Sequence, residues 1–241
     1  MNQVLDRGWA RRRLPRLPRV SRVASAALLC CSMVTMAASG QSPVLKSDTA
    51  GESGVYLSAG AEYGFVAALG YERSIGSARP LTVFGSLTVP WAAFDMRDYK
   101  SRVGVRIALT RNDKWNAGAF VAGVVRGSTS EYSRMTGIGA DVGLTGGRFT
   151  GKWSFGAEAA FDWSAAVHVR HSDTYRSRVF ADARDGWYRS PGSNLRAGLF
   201  VSRSIGSATV FLRAGQLRDG RGAPQLLPFY AVLGVRVGRD L

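Results

Sequence analysis

From Lys152 to Ser164 the chain reads KWSFGAEAAFDWS, and the alternation is strict. Trp153, Phe155, Ala157, Ala159, Phe161 and Trp163 fall on one face; Lys152, Ser154, Gly156, Glu158, Ala160, Asp162 and Ser164 fall on the other. Side chains on a strand point alternately to opposite sides, so this segment has one oily and one polar face. Rings at both tips of the oily face, with alanine between them, serve no purpose in a soluble sandwich. They fit a strand of about 9–11 residues that crosses hydrocarbon with aromatic side chains near each interface.

The same period recurs along the chain. It is clearest at 101–111, with Val103, Val105, Ile107 and Leu109 on one face, and at 226–237, with Leu227, Phe229, Ala231, Leu233, Val235 and Val237. It appears again at 81–91, 136–145, 194–202 and 208–215, and more weakly at 115–126. Near the N-terminal side, 54–63 and Phe65–Ile75 keep odd apolar parity across Gly64, which favours a three-residue loop with a bulge over a two-residue turn. The pattern thus predicts an all-β fold: a closed antiparallel transmembrane β-barrel of ten strands. An eight-stranded count, with 54–75 partly outside the membrane, is the alternative.

Connections between these segments alternate in length. Turns at 76–80, 112–114, 146–151 and 206–207 are short, whereas 92–100, 127–135, 165–193 and 216–225 are longer; the connection at Gly64 breaks the rule. Short periplasmic turns and long outer loops are the habit of such barrels. An even strand number puts both termini on the periplasmic side.

The first forty residues set the expected compartment. Arg7, Arg11, Arg12, Arg13, Arg16, Arg19 and Arg22 precede an apolar run from Val23 to Ala38, which reads as a secretory signal peptide over 1–40. A periplasmic segment is expected over 41–53 and the barrel over 54–241. Removing 1–40 takes away seven Arg and one Asp, so the formal charge of +15 falls to +9. The basic block is therefore a targeting region, not a nucleic-acid arm. Both cysteines, Cys30 and Cys31, lie in the part expected to be removed, so no disulfide and no cysteine metal site is expected in the mature chain.

With these features the chain resembles the bacterial outer-membrane β-barrel proteins as a broad class. The basic leader, the cysteine-free remainder, the alternating strands, the Gly137-Ile138-Gly139 spacing and the terminal strand FYAVLGVRVG carry the resemblance. It implies integral residence in the outer membrane of a Gram-negative bacterium. It also implies partners in outer-membrane lipid, lipopolysaccharide and the outer-membrane assembly machinery. The chain departs from the class at its end, Val237-Gly238-Arg239-Asp240-Leu241, where an aromatic residue is usual.

Function is then sought in the lumen and on the outer loops. Parity sends Glu62, Glu72, Asp141, Glu158 and Asp162 inward together with Arg102, Arg106, Arg126, Lys152, Arg196, Arg213 and Arg236. Isolated charges in such an interior cost several kcal/mol each, so opposite signs are expected to pair and close the lumen. A narrow, weakly anion-preferring channel is the competing reading, because the inward glycines leave room either for long arginines or for water. Trp153, Phe155, Phe161 and Trp163 are expected in the aromatic girdle.

The 165–193 segment holds both histidines. His168 or His171, oriented by Asp173, would be the general base if the barrel were a hydrolase of lipid A or peptides. The spacing is undistinctive, no nucleophile motif accompanies it, and no metal site or cofactor is expected. Arg170, Arg176, Arg178, Arg184 and Arg189 in the same segment are candidate contacts for lipopolysaccharide phosphates.

Overall fold

The computed structural model describes residues 51–62, 64–76, 81–91, 97–111, 114–150, 152–190, 192–220 and 227–239. The expected signal peptide and nearly all of the 41–53 segment lie outside these residues. The strands are β1 (Ser53–Glu62), β2 (Phe65–Ile75), β3 (Leu81–Pro90), β4 (Tyr99–Arg111), β5 (Trp115–Thr129), β6 (Ser133–Thr150), β7 (Trp153–His171), β8 (Gly186–Arg189), β9 (Ser193–Ile205), β10 (Ala208–Asp219) and β11 (Phe229–Arg239). Among the described residues one short helix, α1 (Asp173–Arg178), lies between β7 and β8.

Each strand except β8 pairs antiparallel with its chain neighbours, β7 passing directly to β9, and β1 pairs with β11. The result is a closed ring of ten strands, with β8 added on β7 above the start of β9. Closure leaves no sheet edge in the ring. Following paired residues once around it returns to β1 displaced by about 12 residues, a stagger that for ten strands means a tilt of about 40°.

Polarity is inverted relative to a water-soluble protein. Leu57, Leu69, Val103, Leu144, Leu199 and Leu233 are exposed on the outside, while seven cations and five carboxylates are buried within. Rings mark both ends of the apolar band: Trp115, Trp153 and Phe155 at the end where β1 begins and β11 finishes, and Phe65, Trp91, Phe161, Trp163 and Phe229 at the far end. Ten residues separate Trp153 from Trp163, which at this tilt spans about 25 Å.

The strands run longer than the alternation suggested. The 127–135 stretch, expected as a long loop, is mostly strand, with only 130–132 left as the connection. The expected turn at 146–151 is likewise strand up to Thr150. Glycine misleads there: a Cβ on Gly147 would meet the Phe155 carbonyl oxygen at 2.5 Å, so its role is close backbone approach within a sheet. The register near Gly64 agrees with the three-residue expectation, since Ala61 pairs with Phe65.

Candidate functional site

The inward side chains of the ten strands form layers of ion pairs. At the end where β1 begins and β11 finishes, Arg236 is bound to Glu72 and donates to Glu52 at 3.0 Å, and Arg106 lies 3.6 Å from Glu72. Next, Arg102 donates to Asp141 at 3.1 Å and to the Ser86 hydroxyl at 3.3 Å. Arg213 grips Glu158 through both Nε and Nη2, Tyr230 Oη donates to Glu158 Oε1 at 2.5 Å, and Arg196 donates to Glu62 at 3.1 Å. Toward the far end Asp162 takes Lys100 at 2.5 Å and also Arg126. Each of the seven buried cations among the described residues thus has a carboxylate partner.

Ten strands enclose more space than charges alone fill. Inward rings seated on inward glycines occupy part of the remainder. A Cβ on Gly70 would meet the Tyr56 ring at 2.2 Å, one on Gly143 the Phe120 ring at 2.5 Å, one on Gly234 the Phe211 ring at 2.3 Å, and one on Gly198 the Tyr230 hydroxyl at 2.2 Å. The glycines therefore leave room for aromatic side chains. Phe84 and Phe120 meet edge to face at 6.3 Å, and Arg106 lies over the Phe84 ring, so the rings and the ion pairs form one packed interior.

Eleven of the twelve charges expected inward are buried. Lys152 is the correction: it is exposed, because β7 begins at Trp153 and Lys152 sits in the turn before the ladder imposes its parity. Lys100 takes its place in the lumen. The 92–100 stretch reads as a loop, yet Lys100 shares parity with Arg102 and Arg106, and the alternation carried back one step places it inward. The buried rings follow the same alternation: Phe120, Phe200 and Phe211 share parity with lumen charges and turn inward with them. The four expected girdle residues Trp153, Phe155, Phe161 and Trp163 all face outward and are exposed.

At Ala165 the pairing of β6 with β7 skips a residue: Gly139 opposes Ser164 and Ile138 opposes Ala166. This bulge reverses the parity of β7 beyond it. Val167 and Val169 turn inward against Met135, and His168 and Arg170 turn outward.

The segment after β7 is tied down by Asp185. Its Oδ1 accepts from the His171 backbone N–H at 2.8 Å, lies 3.1 Å from His171 Nδ1, and takes Arg176 Nη2 at 2.8 Å. Ser172 caps α1 by accepting from the Tyr175 N–H, and the His171 and Tyr175 rings lie 4.9 Å apart. The carboxylate partner of His171 is therefore Asp185, while Asp173 points into solvent and reaches only Arg176, at 3.8 Å. His168 meets the Trp187 ring at 5.2 Å. The two histidines thus serve separate contacts. Of the five arginines considered for phosphate contact, Arg176 is held by Asp185, whereas Arg170, Arg178, Arg184 and Arg189 are exposed.

The His171 N–H, then the His171 ring and Arg176, hold the Asp185 carboxyl below its ordinary value, at about 2. A depressed carboxyl stabilises the segment fully above the ordinary value near 3.8 and loses that contribution as the pH falls through about 2. Cleavage by pepsin within 172–185 should accordingly be slow at pH 4 and fast at pH 2. Asp185→Asn should be cleaved equally fast at both.

No protein-family model matches the chain, and no curated protein matches it. Among solved structures, the chain is similar to the translocator domain of autotransporter NalP from Neisseria meningitidis. Identity is 13%, 90% of this chain and 96% of that chain are covered, and the TM-score is 0.35. The functional reading rests on the barrel's own geometry.

Proposed function

We propose that the protein is an integral outer-membrane β-barrel whose lumen is closed, so that it acts as a structural or surface-interaction element and passes no solute. The observation that carries this reading is the joint inversion of polarity: an apolar outer band of about 25 Å bounded by rings, around an interior in which every buried cation among the described residues is paired. In water that outer surface would drive association, since contiguous apolar patches of this extent are avoided by soluble monomers. In a bilayer it is the required surface. The chain ends and the short turns then lie in the periplasm, with α1 and β8 at the cell surface.

The packing of the interior supports closure. The ion pairs bridge strands far apart in the chain, such as Arg196 with Glu62 and Arg236 with Glu72, and rings fill the gaps between them. An open pathway would require several of these contacts to separate at once.

Purified full-length protein in planar bilayers is expected to pass no resolvable current. Discrete conductance steps whose ion preference changes in Arg102→Glu or Arg106→Glu would establish the conduit reading instead. A protein that stays folded and monodisperse without detergent would refute membrane residence altogether.

A further inference from the structure

The outward face of β6, β7 and β8 at the far end differs from the rest of the surface. Arg134 and Arg170 are directly opposite in the antiparallel register, and both are exposed. Side chains so placed have Cβ atoms about 4.5–5.5 Å apart, and like charges there repel. Neither forms an ion pair with any described residue. Buried cations elsewhere in this protein all have carboxylates, and Arg176, only a few residues away, has Asp185. The Arg134/Arg170 pair is thus a place where positive charge is concentrated without a counterion among the described residues.

A third arginine lies on the same face. Arg189 opposes Ala166, which opposes Ile138, so it stands at the upper edge of the apolar band. Between this level and the Arg134/Arg170 pair lie His168 and Trp187, opposite one another and in ring contact. Four residues of strand separate Ile138 from Arg134, a height of about 10 Å at the barrel's tilt. The face therefore rises from hydrocarbon-type side chains through one arginine and an exposed indole to a close pair of arginines. The bulge at Ala165 creates it, because without that reversal Arg170 would point into the lumen mouth and Val169 outward.

We infer that this face docks the phosphate of a membrane lipid, gripped by Arg134 and Arg170 with Arg189 below them. The phosphate supplies the missing counterion and accepts several charge-assisted hydrogen bonds from guanidinium groups. A lipid-borne phosphate is favoured over a free anion because the face is continuous with the apolar band at Ile138 and Trp163, where the acyl chains of such a lipid would lie. The inference rests on the membrane reading above and names a ligand for it.

The test uses full-length protein in neutral detergent, offered dioleoyl phosphatidic acid and dioleoylglycerol, with retained lipid measured by native mass spectrometry. Heat-modifiable migration confirms a folded barrel in each variant. The wild-type protein is expected to retain the phosphatidic acid selectively. Arg134→Glu/Arg170→Glu should lower that retention by roughly tenfold or more, and Arg73→Glu/Arg148→Glu, exposed on the outer face at the opposite end of the barrel, should leave it unchanged. Unchanged retention in the first variant overturns the site. Equal loss in both variants also overturns it, since the attraction would then be diffuse. Displacement of the lipid by millimolar inorganic phosphate would show a site for free anion and overturn the lipid assignment. A barrel that needs detergent yet lacks lipid preference sinks this inference alone, whereas one that dissolves without detergent sinks the membrane reading.

Discussion

Arg213→Leu is expected to lower the stability of the folded barrel by about 3–5 kcal/mol, the cost of leaving a buried carboxylate without its partner. Arg213 is 1% exposed and Glu158 6%, and two guanidinium nitrogens grip the carboxylate. Removing the arginine leaves Glu158 with the Tyr230 hydroxyl and a distant contact to Arg196 at 4.0 Å. Removing both charges is a different matter. In Arg213→Leu/Glu158→Leu most of the loss should be recovered, because replacing a buried pair with apolar side chains of adequate volume is often close to neutral. Urea unfolding in detergent micelles, compared across the single and double variants, measures the difference. The size of the single loss also reports on the lumen. A loss below about 1 kcal/mol would mean that water screens the pair as it does at a surface, and the closed-lumen reading would fail with it.

The alternation carried the architecture because it is enforced by the solvent. Where one strand face must meet hydrocarbon and the other a polar interior, every second residue is constrained, and ten segments with their parity could be read from residues such as Trp153, Phe161 and Leu233. That same parity located eleven lumen charges. What escaped has a physical reason in each case. Strand ends were misplaced where glycine served close approach, as at Gly147, in place of a turn. Lys152 and Lys100 exchanged roles because both sit within two residues of a strand start, where one step of extension decides whether a side chain enters the ladder. The reversal at Ala165 has no compositional mark, so the outward position of Arg170 could be seen only in the register. Its partner across the strands, Arg134, lay outside the segment where phosphate contacts were sought. The partner of His171 was likewise misjudged, as Asp173 is near in sequence but Asp185 is brought close by the chain's return through α1 to β8. Pairings of this kind depend on how neighbouring strands and the return through α1 to β8 fall into register, which local pattern does not encode.

Leu199→Arg is expected to destabilise the barrel in lipid vesicles by about 2–4 kcal/mol, whereas Ile205→Arg should cost about 0–1 kcal/mol. Both side chains face outward and are exposed, Leu199 at 67% and Ile205 at 59%. On a water-soluble barrel, a charge at either site would be near neutral or would improve solubility. In a bilayer, depth decides. Leu199 opposes Ala157 and Ala214, midway between the Trp153 and Trp163 levels, where a guanidinium cannot reach the interface without thinning the membrane. Ile205 ends β9 beyond Arg203, whose guanidinium already lies over the Trp153 ring at 5.2 Å, so a cation is accommodated at that level. Reversible unfolding of the two variants in vesicles gives the depth profile directly. Equal, small effects at both positions would show that the outer face meets water or another protein surface, and the interior ion pairs would then be the core of a soluble barrel turned outside in.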